Sequence, residues 1–311
     1  MSESPLIFDR KVLRARRPRA RALGPATFLL ERAAADLAER LAAVLRRFPF
    51  ALDLGTPGDE VRAALAALNS TGTIVAANAD CDGLHPPLFV AADEEALPFR
   101  DAAFDLVVSA LSLQFVNDLP GAFVQIRRAL RPDGLFLAVL MGGDTLTELR
   151  QSFAAAESEI EGGLSPRVAP FADLRDLGAL LQRAGFALPV TDSEAITVRY
   201  DSVFGLMNDL RRMGATNALV DRRRTPLKRA TLLRMAEIYR QRFADADGRV
   251  RATFEFLWLS GWAPHPNQQR PLKPGSAQAR LADALGTREL PASDKAGKSE
   301  RRLISKRWRR W

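Results

Sequence analysis

The sequence predicts an α/β protein, a mostly parallel sheet with helices on both faces and helical additions toward the C-terminus. Three observations carry this. Short continuous apolar runs alternate with segments whose apolar residues recur at helical spacing, the pattern of a sheet buried on both faces. The first run ends in an acid and a glycine turn, Phe50-Ala-Leu-Asp53-Leu-Gly55-Thr-Pro57-Gly58-Asp59, where a nucleotide-binding strand would hand over to its helix. And 311 residues with 47% hydrophobic content suffice to bury a full core.

The elements follow in order. Residues 28–47 place Leu29, Leu30, Ala33, Leu37, Leu41, Val44 and Leu45 on one helical stripe, with Glu31, Arg32, Glu39 and Arg40 between them. Strand 1 is 51–54. A short helix after Gly58 carries Val61, Leu65 and Leu68, and Asn69-Ser-Thr-Gly72 turns the chain into strand 2 at 73–77. Strand 3 is 88–91, and strand 4 is 104–109. A helix of 117–130 follows, and Arg131-Pro-Asp-Gly134 reads as a turn before strand 5 at 135–140. Helices are expected at 145–160 and 171–184, the latter closed by Gly185, then strands near 187–190 and 194–199. The pattern turns helical over 202–243 and ends in a strand at 253–259. Only about ten residues, 78–87, join strands 2 and 3, and they include Gly83, Pro86 and Pro87. A parallel crossover normally takes a dozen or more and contains a helix, so a loop is expected to replace it.

Charge divides unevenly. Residues 1–23 carry +5, residues 287–311 carry +6, and the body between them −3, out of a total of +8. A mildly acidic body argues against a basic nucleic-acid face. Basic ends suit a peripheral contact with an anionic membrane, and Trp308 and Trp311 among the cations of the tail suit it further; a solvated tail is the plainer alternative. No run of 18 apolar residues exists. The single cysteine, Cys81, forms no intrachain disulfide, which fits a reducing compartment. Four segments are expected: a basic N-terminal segment 1–27, an α/β domain 28–200, a helical lid with C-terminal segment 201–280 packed on the same domain, and a basic tail 281–311.

The glycine turn lets backbone N–H groups approach a ligand, and the following helix N-terminus adds partial positive charge. Pro57 contributes no N–H and fixes φ, so it removes one donor from that cradle. An ordinary strand-to-helix turn accounts for the same residues.

Taken together, LDLG at 52–55, ADEEALPF at 92–99, FDLVVSALSLQFVNDLP at 104–120 and LRPDG at 130–134 resemble the class I S-adenosylmethionine-dependent methyltransferase fold, which is Rossmann-like. Phe8-Asp-Arg10, GGDTLTELR at 142–150 and DLRRMGATNAL at 209–219 are similar to two branches of it, the biotin-pathway methyltransferase acting on a carrier-bound malonyl group and the methyltransferase-like assembly factor of respiratory complex I. Residues 261–277, from Gly261-Trp262 through His265, Gln268 and Arg270 to Ala277, resemble the assembly factor alone, as do Glu161-Gly-Gly-Leu-Ser165-Pro166 and Pro170-Phe171. The resemblance covers about 6–280. It implies hydroxylation of an arginine in the iron-sulfur subunit of complex I near the quinone site. Because the similarity begins at Ile7 or Phe8, no cleaved targeting peptide is expected, and a bacterial cytoplasmic protein, with a peripheral place at the inner membrane, is the expected setting.

For S-adenosylmethionine the resemblance implies contacts from Asp53, Gly55 and Gly58 in the first loop, Asn78 at the end of strand 2, Asp93 after strand 3, and Ser109 and Leu111 at the end of strand 4. Three departures fall on the ribose and methionine side. Pro57 stands in the glycine loop, the helix after strand 2 is missing, and Asn78 replaces the acid that takes both ribose hydroxyls, although Asp80 and Asp82 lie within reach. A neutral amide accepts through one oxygen, which weakens a bidentate hold on a diol.

Candidate chemistry rests on few residues. The chain has two histidines, His85 and His265; His265 lies in the assembly-factor segment and suits substrate positioning or metal ligation, with a structural imidazole as the alternative. No HxD or HxE motif completes a facial metal triad, and the metal is not identified by the sequence. Asp144, directly after strand 5, is expected to cap the next helix and to grip a cationic arginine substrate. Gln114 stands where related sequences often carry histidine, which argues against a general base there. Cys81 lacks the marks of a nucleophile. Asp209, Arg211, Arg212 and Asn217 suit a lid or a solvated helix face. Three functions stay open: an arginine hydroxylase of complex I assembly, a methyltransferase on a carrier-bound carboxylate, and a non-catalytic chaperone with a degenerate cofactor site.

Overall fold

The computed structural model describes residues 6–79, 88–268 and 280–287. The chain divides into a unit of residues 1–266 and a unit of residues 267–311; the described part of the second contains one short helix, Leu281–Leu285. The first unit holds the sheet and the helices that position the site.

Apolar runs of β-rich composition give seven strands among the described residues: β1 (Phe48–Leu54), β2 (Thr71–Asn78), β3 (Phe89–Ala91), β4 (Phe104–Ala110), β5 (Leu130–Met141), β6 (Ala187–Tyr200) and β7 (Val250–Trp262). Their order is β3-β2-β1-β4-β5-β7-β6. β1 to β5 are parallel, and β7 runs antiparallel between β5 and β6. Eight helices accompany them: α1 (Arg10–Ala22), α2 (Phe28–Ala42), α3 (Glu60–Ala66), α4 (Leu119–Ala129), α5 (Thr147–Glu161), α6 (Leu174–Arg183), α7 (Val203–Arg212) and α8 (Arg229–Phe243).

Successive strand residues point to opposite faces, so each buried strand feeds two cores. Ala51, Leu106, Val108, Leu137 and Phe254 pack against α2, α3, α5, α7 and α8 on one face. Leu52, Leu54, Val107, Phe136 and Leu259 pack against α4 and α6 on the other. This two-sided burial is why the strands read as continuous apolar runs. The exceptions are the edge strands: β3 has no fully buried residue, and β6 alternates half-buried and exposed residues except at Asp192 and Ser193, which are both exposed.

Several expectations need correction. The stripe of α2 stops at Ala42, and Leu45 is 99% exposed. Arg131-Pro-Asp-Gly134 is part of β5 and carries an irregularity in the pairing with β4; Asp133 (φ 65°) and Gly134 exchange backbone hydrogen bonds with Ala263. The two strands expected near 187–190 and 194–199 are one, β6. The division at residue 200 fails, because β7 belongs to the sheet and separates β5 from β6. The basic segment 1–27 contains α1, whose arginines turn to the body. The connection at 80–87, with Asp80, Cys81, Asp82 and His85, lies outside the described residues, as do the tail tryptophans. Among the described residues, no helix is long and apolar enough to cross a membrane.

These assignments predict a contrast within one stretch of sequence. Leu37→Ala, at a position with no exposure, should cost about 3 kcal/mol in a urea unfolding titration, whereas Leu45→Ala should change stability by less than about 0.5 kcal/mol.

Candidate functional site

The sheet order reverses between β1 and β4, and in open α/β sheets ligands bind outside the carboxyl ends of the strands at that point. The loops after β1, β3, β4 and β5 converge there.

The first loop is built around a buried carboxylate. Asp53 is 1% exposed, accepts a hydrogen bond from the Thr56 hydroxyl and pairs with Arg62 at 2.8 Å. Burial pushes its pKa up, against the opposing pull of Thr56 and Arg62. Gly55 has φ +75°, and a Cβ there would fall 2.6 Å from Glu94 Oε1, so only glycine fits between this loop and the one after β3. The Gly55 N–H is spent on Ala77 O. Ser109 is buried and its hydroxyl has no partner, while Leu111 takes φ +52° and turns the chain out of β4.

Asn78 and Asp93 do not present free polar groups. The Asn78 amide donates to Thr56 O at 3.1 Å, and its Oδ1 accepts from Arg17 at 2.7 Å. Asp93 pairs with Arg10 at 2.8 Å and with Arg14. Its neighbour Glu94, 2% exposed, pairs with Arg10 and accepts from the Ser112 hydroxyl at 2.9 Å. Burial alone would push the Arg10 guanidinium down; the combined charge of Glu94, Asp93 and Glu95 overcomes this and raises it. Thus α1 lies along the cleft with Arg17 directed at the last residue of β2 and Arg10 and Arg14 at the loop after β3. Gly214 (φ +69°) lets the chain after α7 pass close to Ala20 and Arg17, and Arg16 donates to the carbonyls of Thr216 and Asn217. Sequence reasoning missed Glu94 and the inward role of α1, because a run of arginines on a weakly apolar helix reads as a solvated face.

A cavity of about 320 Å³ opens beside α1, with Pro57, Gly58, Glu60, Leu111, Gln114 and Met141 in its wall. Gly58 leaves room for the Glu60 side chain and Leu30.

Asp144 is exposed at the carboxyl end of β5, but it caps no helix. Helix α5 begins at Thr147, and Leu146 in a left-handed conformation precedes it. The Asp144 N–H donates to Glu255 of β7 at 3.0 Å. Glu148, in the first turn of α5, is buried and accepts from Thr253 N and Oγ1 at 3.1 and 2.6 Å. His265 is not brought to Asp144. It follows Trp262, which pairs with Leu135 at the opposite edge of the sheet, while Met141 pairs with Phe256; the six residue steps from Leu135 to Met141 separate the two ends by roughly 20 Å. No group of three or more His, Cys, Asp or Glu among the described residues is arranged to hold a metal ion.

Fold, strand order and loop placement define a class I methyltransferase-like protein. A family model described as a methyltransferase domain matches residues 52–138. A putative methyltransferase of solved structure from Bacillus halodurans has the same fold, with a TM-score of 0.51 and 20% identity over 75% of this chain and 99% of its own. Among curated relatives, the human mitochondrial arginine-hydroxylase NDUFAF5 is 43% identical over 89% of this chain and 83% of its own length. A malonyl-[acyl-carrier protein] O-methyltransferase of Xylella fastidiosa is 39% identical, over 58% of this chain and 59% of its own. The chain belongs to the arginine-hydroxylase NDUFAF5 family within the class I methyltransferase superfamily.

The Arg10 network predicts unequal effects of two neighbouring truncations. Arg10→Ala strands the buried Glu94 carboxylate and should cost about 3 kcal/mol in denaturant unfolding. Arg14→Ala, whose side chain is 41% exposed, should cost less than about 1 kcal/mol.

Proposed function

We propose that the protein is an arginine hydroxylase, as the name of its relatives states for them, and that its substrate is an arginine of the iron-sulfur subunit of respiratory complex I, which the family resemblance implies. One observation carries the reading: similarity to arginine-hydroxylase NDUFAF5 at 43% identity runs through 89% of the chain, whereas similarity to the malonyl-carrier methyltransferase stops at 58%. Asp144, exposed beside the cleft, is the residue assigned to steer the cationic substrate. His265 has no part in this reading, since it sits at the other edge of the sheet.

S-adenosylmethionine is implied by the superfamily, and the methyltransferase domain supports it. The ribose and adenine contacts expected of Asn78 and Asp93 do not fit as the chain stands, because Arg17 holds the one and Arg10 and Arg14 hold the other. No step of the reaction is assigned to that group. A cytoplasmic setting, with contact at a membrane surface through the basic tail, belongs to the same proposal and concerns residues outside the described part of the chain.

The test is mass spectrometry of the complex I iron-sulfur subunit after incubation or co-expression with the protein: a gain of one oxygen on an arginine is expected, and an unmodified arginine would overturn the reading. Asp144→Asn should lower that hydroxylation about ten-fold, the scale of one charged hydrogen bond. In calorimetric titrations with S-adenosylmethionine, Arg17→Ala should bind more tightly than the wild-type chain; equal affinities would show that the Arg17–Asn78 bond does not compete.

A further inference from the structure

We infer that Glu60 and Gln114 form a binding site for a cationic N–H donor, a guanidinium or a primary ammonium, inside the cavity beside α1. Both side chains are in the wall of that cavity. Glu60 Oε2 and Gln114 Oε1 are each buried and accept no hydrogen bond. Two buried acceptors without a donor, on residues that line the same cavity, specify what a partner must supply, since buried polar groups in folded proteins are otherwise paired.

The local chemistry keeps Glu60 without a partner. Arg62, on the same helix, is committed to Asp53 and Asp59. Pro57 has no N–H to offer from the loop. At Gly58 a Cβ would collide with the Glu60 carboxylate, so the glycine makes the space in which that carboxylate sits. Of the three arginines on the wall, Arg212 is held by Gly24 O and Asp209, Arg17 by Asn78 Oδ1, and Arg21 is also engaged. Leu30, Leu111, Phe115 and Met141 add apolar lining to the same cavity, and apolar surroundings strengthen the attraction between a carboxylate and a cation. Gln114 adds a neutral acceptor, so the site is charged once and accepts twice. A guanidinium, with five donors in a planar fork, satisfies both oxygens together; an ammonium does so with two of its three.

The chemistry has two sources, the arginine of a protein substrate and the ammonium of S-adenosylmethionine. The first source rests on the arginine-hydroxylase reading; the cation site itself does not. Calorimetric titration of the full chain with N-acetyl-arginine amide and, separately, with S-adenosylmethionine separates them. Glu60→Gln is nearly isosteric and should weaken one of the two probes at least ten-fold, with Gln114→Leu weakening the same probe several-fold while both variants keep the wild-type melting temperature. The probe affected names the source. Unchanged affinity of both probes in both variants, or no binding of either probe to the wild-type chain, would overturn the site. Loss of arginine-amide binding in Glu60→Gln, in a protein that leaves its substrate arginine unoxidised, would keep the site and remove the hydroxylase reading. Hydroxylation with unaltered KM and kcat in Glu60→Gln, with both probes bound as in the wild type, would do the reverse.

Discussion

The carboxylate of Glu94 is the constraint on which the carboxyl edge of this sheet depends. A charge that is 2% exposed is tolerable only when it is paired and hydrogen-bonded, and its partners come from separate parts of the chain: Ser112 after β4 and Arg10 at the start of α1. The absent Cβ of Gly55 leaves it the room. One buried acid therefore ties the loops after β1, β3 and β4 to an N-terminal helix that buries only Leu13 and Ala20. With so little apolar surface, α1 is held to the body chiefly by polar contacts, this tie together with those of Arg14, Arg16 and Arg17. Through these contacts the arginines of α1 become part of the cleft rather than a solvated arm.

The same arrangement explains why the fold was legible in the sequence and half of the site was not. Continuous apolar runs at 51–54, 104–109 and 135–140 follow directly from two-sided burial, and those strands stand where the pattern put them, β4 longer by one residue, β1 by three and β5 by six. Helix ends were harder to read, because Val44 and Leu45 continue the apolar spacing of α2 past its last turn. Asp144 has a capping residue type in the capping place, yet the chain bends through a left-handed Leu146 and starts the helix three residues later. His265 stands out in sequence only because its segment resembles the assembly factor, and the antiparallel course of β7 carries it to the end of the sheet away from the cleft. Glu94 sat in plain view inside a quoted motif and said nothing of its burial. Its partners are 84 and 18 residues away, and no local pattern encodes such a distance.

Charge shows the same limit. The N-terminal arginines raise the formal charge of their segment, and on composition alone they suit an anionic surface. In the folded chain Arg10, Arg14 and Arg17 face Asp93, Glu94 and Asn78. A segment's net charge describes what it could attract, whereas the fold decides what it has already bound.

The place of β7 has a bearing on how the chain comes into being. Among the described residues, β6 pairs with β7 alone, and the edge of β5 away from β4 is covered by β7 alone. Until residues 250–262 have left the ribosome, Leu135–Met141 presents an open hydrophobic strand edge, the kind that recruits other chains. More than a hundred residues must be synthesised between exposure of that edge and its closure. At the usual pace of translation this lasts on the order of ten seconds, and a nascent chain truncated anywhere in α7 or α8 never reaches it. The last strand of the sheet is thus also its seal, and production of the protein is governed by its C-terminal third.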